Sequence, residues 1–173
     1  MSIFCISVRT GVEECFKKSV DSILERCETP VQGSVYLLKK QMRLKNGKEY
    51  FDLFFPGYVF FETEENDSAK FRFIRNVNGF IRFLPSSKDV HPLVGVDLEI
   101  VKSILRFGST VGIVPVTFDT NDRIVIVDGP FKNMTEKVVS ENRRNKRVNI
   151  ELEFMGGVNV VGLSYELVQK VKD

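Results

Sequence analysis

The order of apolar and polar residues predicts alternating strands and helices over roughly the first 105 residues. Runs in which every second residue is apolar are typical of strands, whereas apolar residues three or four positions apart are typical of one helix face. On this basis we predict strands at 3–8, 34–44, 48–53, 54–61 and 79–84, and helices from Thr10 to about residue 27, at 65–75 and at 95–105.

Local signals at the ends of these segments support the assignment. Thr10 is a suitable helix N-cap because its hydroxyl can accept a backbone N–H, and acidic residues follow in the first turn. The pair Asn46-Gly47 is a strong hairpin signal, and Pro56-Gly57 predicts a bend near the start of the next strand. The resulting order, β-α-β-β-β-α-β-α, predicts an α+β domain with a mainly antiparallel sheet.

The rest of the chain has the pattern of strands. Residues 108–113 contain two glycines and a Ser-Thr pair, as linkers often do, so we predict one domain at 1–107 and a second at 114–173. In the second domain we predict a turn at Asp128-Gly129-Pro130, a strand ending at Asn142 and a short helical turn near 165–168. Apolar residues that alternate with polar ones identify its core strands: Ile124, Ile126, Val148, Ile150 and Leu152.

Composition narrows the class of protein. With 173 residues, of which 43% are hydrophobic, the chain can form one domain or two small ones. No apolar run is long enough to span a membrane, and the N-terminus lacks the pattern of a signal peptide. Three scattered cysteines fit a reducing compartment, so we expect a cytoplasmic protein, and we expect it to be a monomer.

The sequence contains no recognisable catalytic motif. It has one histidine, His91, beside a proline in a predicted surface turn, and no phosphate-binding glycine loop or nucleophile elbow. The cysteines do not have the spacing of a zinc site. We therefore expect neither an enzyme nor a protein with a metal or another cofactor.

Basic residues are concentrated in one predicted turn, at 143–147. The net charge of the chain is +2, and the part from Gly108 onward has nine basic and nine acidic residues, so the patch is local. It could be a solvated hairpin tip or a phosphate-binding surface, because binding of phosphates requires such clustering. Lys132 and Lys137 lie in loops that a barrel would place at the same end. The candidate RNA-contacting residues are Lys132, Lys137, Arg143, Arg144, Lys146 and Arg147.

A second candidate site is the aromatic run at the predicted bend. A bent strand cannot bury every ring on one side, so we expect some of Phe54, Phe55 and Tyr58 to be exposed beside Pro56. Exposed apolar patches often bind a protein partner. Burial of all these rings in the core is the alternative.

Together these motifs resemble the NusG/Spt5 family of transcription elongation factors. The segment LFFPGYVFFE at 53–62 is similar to the family's FPGYV strand, and IRNVNGF at 74–80 is similar to the segment after its second helix. The stretch from Asp122 to Asn133, with DGPF inside it, is similar to the start of the KOW motif. The resemblance implies a NusG-like α+β domain followed by a small all-β, SH3-like KOW barrel.

Some positions differ from the family pattern. Phe4-Cys5 stands where members usually have Trp-Tyr, and Asn121 and Glu136 replace two usual glycines. The segment at 8–14, the basic turn and the C-terminal segment VGLSYELVQKV at 161–171 look closer to the LoaP-like paralogs, which act as antiterminators. That resemblance implies that the KOW domain binds a hairpin in the nascent RNA.

The family also implies partners for the candidate residues. The first domain would bind the clamp helices of the RNA polymerase β′ subunit through Phe54, Phe55, Pro56 and Tyr58. A housekeeping NusG, in which the KOW domain binds ribosomal protein S10 or Rho, is one alternative. For that case the apolar patch would be Met134, Phe154 and Met155. A ribosome-associated KOW protein that binds RNA is the other alternative.

Overall fold

The computed structural model describes residues 1–26, 32–64 and 71–169. Its helices are α1 (Glu13–Arg26), α2 (Arg72–Arg75) and α3 (Gly95–Leu105), and a 3-10 turn spans Thr135–Lys137. Its strands are β1 (Ser2–Val8), β2 (Gly33–Tyr36), β3 (Lys39–Arg43), β4 (Glu49–Leu53), β5 (Tyr58–Thr63), β6 (Phe80–Leu84), β7 (Thr110–Val111), β8 (Val114–Phe118), β9 (Ile124–Ile126), β10 (Val138–Asn142), β11 (Arg147–Phe154) and β12 (Gly157–Leu167). The mixed α/β fold class is confirmed.

Residue contacts divide the chain into two compact units, the first made of Met1–Leu38 and Phe55–Glu99. Its sheet has the order β2-β5-β1-β6, and all its neighbouring strands are antiparallel, as predicted. Phenylalanine rings fill the core, with the centroid of Phe71 4.8 Å from that of Phe4 and 5.9 Å from that of Phe61. Such aromatic contacts stabilise a core beyond the area that they bury.

The second unit is made of Lys39–Phe54 and Ile100–Asp173. It contains a five-stranded sheet, β10-β11-β12-β8-β9, and a three-stranded sheet, β4-β3-β7. Each of the predicted alternating core residues of β9 and β11 is buried, at 4% exposure or less, which confirms the period-two pattern. Gly129 has a φ of +90°, which a side chain disfavours, so the glycine expected in this turn is required by the backbone.

The predicted strand at 34–44 is wrong in one respect. It is two strands, β2 and β3, which belong to different sheets. Leu37 and Leu38 between them are both buried at 2% exposure, so the alternation of a single half-buried strand is broken there. Contacts consequently group the β3–β4 hairpin with the C-terminal half of the chain. This grouping differs from a boundary at 108–113, and the continuous domains 1–107 and 114–173 stay a prediction.

Other differences are smaller. The helical turn predicted near 165–168 is instead the end of β12, where Tyr165 pairs with Val114 in a parallel ladder. On α3, Val96 is 56% exposed and is not part of the core. The predicted end of the first helix near residue 27 and the part of the second helix at 65–70 lie outside the described residues. Within the described parts, no helix has the length and apolar character that a membrane crossing requires.

Candidate nucleic-acid interface

The basic turn connects two paired strands and has a defined backbone conformation. β10 and β11 are antiparallel, with Asn142 opposite Arg147. The N–H of Lys146 donates to the carbonyl oxygen of Arg143 at 3.3 Å, and the N–H of Asn145 donates to Oδ1 of Asn142 at 3.0 Å. Because Lys146 has a φ of +50°, the chain reverses within four residues. These hydrogen bonds therefore fix the backbone from which the side chains of the turn extend.

Arg143 is committed to contacts inside the second unit. Its guanidinium forms ion pairs with Asp122 and Glu141, each at 3.0 Å, and lies 4.3 Å from the ring centroid of Phe118. Hydrogen bonds to the Asp122 carboxylate, and then to Glu141, raise the pKa of Arg143. Two carboxylates thus compensate its charge, and Arg143 connects the β8–β9 turn to β10.

Arg147 is also used internally. Its guanidinium donates to the carbonyl oxygen of Arg43 at 3.0 Å and to the sulfur of Met42 at 3.6 Å. These contacts join the start of β11 to the end of β3. Of the four cations predicted at 143–147, two therefore have structural roles.

Arg144 and Lys146 remain exposed, and neither has an ion pair within residues 1–26, 32–64 and 71–169. They line a cleft of about 170 Å³ together with residues of the β3–β4 hairpin. Lys132 and Lys137 are exposed, but neither lines this cleft. The lining residues are Arg43, Leu44, Lys45, Gly47, Arg144, Asn145, Lys146, Ser164 and Tyr165.

The β3–β4 hairpin is fastened to β12 by hydrogen bonds. The N–H of Arg43 donates to Oγ of Ser164 at 2.9 Å, and Nζ of Lys40 donates to the carbonyl oxygen of Gly162 at 2.7 Å. Burial lowers the pKa of Lys40, against the attraction of Asp52, whose carboxylate lies 3.8 Å away. The hairpin thus has a fixed position beside the basic turn within the second unit.

The predicted polymerase-binding residues differ in accessibility. Pro56 is exposed and Tyr58 is half-buried, but Phe54 and Phe55 are each 4% exposed. The ring of Phe54 lies 5.7 Å from that of Phe131, within the second unit. Of the three rings of which some were expected to be exposed, Tyr58 is therefore the accessible one, and core rings cover Phe54 and Phe55. The role of these residues in binding polymerase stays a prediction.

Gly57 explains why this segment is a turn. Its φ is +84°, and a Cβ at this position would lie 3.2 Å from Oγ1 of Thr10, so a side chain would be strained there. Its N–H donates to Oε1 of Glu13 at 2.8 Å, and its carbonyl oxygen accepts from the N–H of Val8. Glu13 is buried, so the hydrogen bond fixes the turn to the start of α1.

The residues predicted for a protein partner of the second domain are less accessible than expected. Phe154 is 2% exposed and is part of the core. Met134 and Met155 are half-buried, and Met155 lies in the turn between β11 and β12 with a φ of +53°. Burial of Phe154 leaves the two methionines as the accessible part of this predicted patch.

Comparison with known proteins identifies the family. A family model described as "Transcription termination factor nusG" matches residues 1–102, which is more than half of the chain. The chain belongs to the NusG family. NusG-family proteins are transcription factors and not enzymes, so this chain is a transcription termination/antitermination factor of that family. Among the described residues, no group of side chains is arranged to hold a metal ion.

Relatives of this NusG-family chain match it over nearly the whole length. The transcription termination/antitermination protein NusG of Bacillus subtilis is 25% identical over 177 residues, which cover 97% of each chain. The protein of the same name from Helicobacter pylori J99 is 20% identical over 181 residues and 99% of each chain. A solved structure, "Domain interaction in Thermotoga maritima NusG", covers 94% of this chain with a TM-score of 0.61 and 22% identity, which shows a shared fold.

The sequence analysis missed the contribution of the hairpin to the basic surface of this NusG-family chain. Lys39, Lys40, Arg43, Lys45 and Lys48 place five cations within ten residues, a signal that was available in the sequence. That signal could not reveal which of them lie beside the turn at 143–147. The contacts of the hairpin with β12 span more than 100 residues of sequence.

Proposed function

We propose that this protein promotes processive transcription by binding two partners. The first domain binds the clamp helices of the RNA polymerase β′ subunit, and the KOW domain binds a hairpin in the nascent RNA. Membership of the NusG family and the whole-length similarity to proteins named as termination/antitermination factors support a role on transcribing polymerase.

The exposed pair Arg144 and Lys146 is the observation that most supports RNA as the second partner. These two cations lie on a rigid turn and have no ion pair in the described part of the chain, so phosphates can neutralise them. Among the described residues, no exposed aromatic ring lines the cleft beside them, which favours recognition of RNA shape and backbone over stacking on single bases.

The RNA proposal is tested by measuring affinity for an RNA hairpin over a range of salt concentrations. Replacement of Arg144 and Lys146 by alanine should weaken binding and lower the log–log salt slope by roughly 0.7 to 0.9 per lost phosphate contact. Lys102→Ala combined with Arg106→Ala, which removes two exposed cations at the C-terminal end of α3, is the matched control. If the curves of wild type and double variant coincide, RNA binding by this turn is rejected. A protein partner such as ribosomal protein S10 or Rho then becomes the better proposal.

The polymerase proposal rests on the accessible part of the turn at 54–58. Pro56 and the exposed part of Tyr58 offer the contact surface, while Phe55 supports them from inside, with its ring 6.5 Å from that of Phe60. Tyr58→Ala should lower affinity for a β′ clamp-helix fragment about thirtyfold, the effect of an interface anchor worth roughly 2 kcal/mol. Tyr50→Ala, which removes an exposed tyrosine of the hairpin, is the control. Equal affinity of folded Tyr58→Ala and wild type would reject this site.

A further inference from the structure

We infer that the cleft between the β3–β4 turn and the β10–β11 turn binds the phosphodiester backbone of the RNA. The hairpin Lys39–Leu53 would then form half of the RNA-binding surface. This inference rests on the proposed binding of RNA by the turn at 143–147, and it adds Lys45 and Asn145 to that site.

The charge of the cleft favours an anion. Four of its nine lining residues are cationic, and the other five are neutral, so none of the lining residues is acidic. Arg43 is already paired with Glu49 at 2.8 Å and lies 3.8 Å from Glu166. Lys45, Arg144 and Lys146 have no such pair in the described residues. Three cations on two separate turns therefore face one small space without a counterion from residues 1–26, 32–64 and 71–169.

Asn145 adds an unsatisfied polar group at the same place. Its Oδ1 is buried and has no hydrogen-bond partner among the residues that the structure describes, and Asn145 lines the cleft. Buried side-chain oxygens normally have a partner, which here is either solvent or a ligand group bound in the cleft. The amide can accept a hydrogen bond from a ribose 2′-hydroxyl, or rotate and donate its NH₂ to a phosphate oxygen. The 2′-hydroxyl is the group that distinguishes RNA from DNA at a binding site.

The size of the cleft limits what can bind. Its volume is about 170 Å³, room for five or six waters at roughly 30 Å³ each. Small-molecule pockets usually have about 300 to 1,000 Å³. One phosphate group with its sugar oxygens fits this space. Tyr165, the aromatic residue of the lining, is 2% exposed and offers no stacking face.

Both sides of the cleft are held in place. The β3–β4 turn is closed by the N–H of Leu44 donating to the carbonyl oxygen of Lys48 at 2.8 Å. On the other side, the N–H of Tyr165 donates to the carbonyl oxygen of Lys146 in the basic turn at 3.0 Å. The guanidinium of Arg147 connects the two sides through the carbonyl oxygen of Arg43. Little ordering of the backbone is therefore needed when a phosphate binds.

The test uses the full chain and a mixed-sequence RNA stem-loop in salt titrations of affinity. Lys45→Ala should weaken RNA binding roughly threefold to tenfold at low salt. It should also lower the log–log salt slope by roughly 0.7 to 0.9, the value for one phosphate contact. Lys45→Arg should retain binding. Lys48→Ala, which removes the same charge from the same turn but not from the cleft, is the matched control and should have a clearly smaller effect.

A double-variant cycle tests whether the two turns share one ligand. If Lys45 and Arg144 bind the same phosphate, the combined variant should lose less affinity than the product of the two single losses. Circular dichroism checks that every variant is folded. If the loss of affinity in the combined variant equals the product of the two single losses, Lys45 and Arg144 do not bind the same phosphate.

The outcomes separate this inference from the function on which it rests. If the Arg144 and Lys146 double variant binds weakly but Lys45→Ala binds normally, the cleft is rejected and the RNA-binding turn remains. Equal losses for Lys45→Ala and Lys48→Ala would also reject the cleft. They would mean that RNA is attracted by the overall positive charge of the β3–β4 turn and not by the position of Lys45. If none of these variants changes affinity, both proposals fail. A DNA stem-loop of the same sequence should bind more weakly than RNA and be insensitive to Asn145→Ala; equal binding would overturn the assignment to RNA.

Discussion

The two sides of the β10–β11 turn have opposite electrostatic character. On one side, Arg143 pairs with Asp122 and Glu141, which line a groove of about 510 Å³ that also contains Glu136. On the other side lies the basic cleft of about 170 Å³, in which Arg144 and Lys146 have no carboxylate partner among its lining residues. Cations that are adjacent in sequence thus have different roles, one structural and the others available to a ligand.

The difference follows from the geometry of the turn. Arg143 contacts the β8–β9 turn, whereas Arg144, Asn145 and Lys146 line the cleft beside the β3–β4 hairpin, so the run of basic residues does not form a single patch. The side that meets the β8–β9 turn encounters acidic residues, and the side that meets the β3–β4 hairpin encounters further cations. The charge available for RNA therefore depends on which neighbour each cation faces.

Charge reversal on the basic side should give the largest effect. Arg144→Glu combined with Lys146→Glu places two carboxylates against RNA phosphates, so affinity for an RNA hairpin should fall at least about a hundredfold at low salt. Lys102→Glu combined with Arg106→Glu, an equal change elsewhere on the surface, should have a small effect because salt screens distant exposed charges. The measurement is fluorescence anisotropy at low and at physiological salt. Unchanged affinity in the charge-reversed variant would show that the basic side of the turn does not bind RNA.

Release of Arg143 from the acidic side should give a smaller effect of opposite sign. Asp122→Asn with Glu141→Gln removes both charges that compensate its guanidinium while keeping similar side-chain shapes. The freed cation should then raise RNA affinity by roughly two- to fivefold and steepen the salt slope. Adding Arg143→Ala to that variant should abolish the gain. A gain that persists without Arg143 would mean that loss of acidic repulsion alone explains it.

The sequence alone correctly predicted the elements whose signals come from residues that are close together along the chain. Alternation identified the buried residues of β9 and β11, and the Asn46-Gly47 pair identified the β3–β4 hairpin, whose glycine has a φ of +83°. Periodicity also placed α3 with its correct limits. Such signals depend only on neighbours along the chain.

Features set by distant contacts were not predictable in this way. The buried rings of Phe54 and Phe55 look the same in the sequence as exposed ones, because their covering partners, such as Phe131, are remote. Likewise, Arg147 is separated by 104 residues from the Arg43 carbonyl to which it donates. The sequence therefore located the basic turn but could not divide its cations into structural and accessible ones. Contact between this turn and RNA stays a prediction.

Removal of Arg143 alone should affect the stability of the fold and not RNA binding, which tests the structural role assigned to this side of the turn. Arg143→Ala loses the contacts to Asp122, Glu141 and Phe118, so the midpoint of thermal unfolding should fall by at most a few degrees, because the guanidinium is solvent-exposed. RNA affinity of the folded protein should change less than twofold. Arg143→Lys should not restore the stability, since an ammonium group lacks the planar fork and stacks poorly on a ring. A large loss of RNA affinity in Arg143→Ala would show that this arginine also contacts RNA.

The smallest expected effect is the acid dependence of the turn that carries Asp122. The carboxylate of Asp119 accepts the N–H groups of Asn121 at 2.8 Å and of Arg123 at 3.0 Å, and it pairs with the Arg123 guanidinium. Hydrogen bonds from the Arg123 and Asn121 backbone, with the Arg123 side chain, lower the pKa of Asp119 below its usual 3.8.

Because the folded-state pKa of Asp119 is the lower one, its contribution to stability is complete above the unfolded-state value. That contribution is lost as pH falls through the folded-state value. The midpoint of thermal unfolding of wild type should therefore exceed that of Asp119→Asn at neutral pH, and the gap should narrow below about pH 3.8. Asparagine keeps an oxygen that can accept the backbone N–H groups, so the comparison isolates the charge. A gap that stays constant into the acid range would mean that the carboxylate charge does not stabilise this turn.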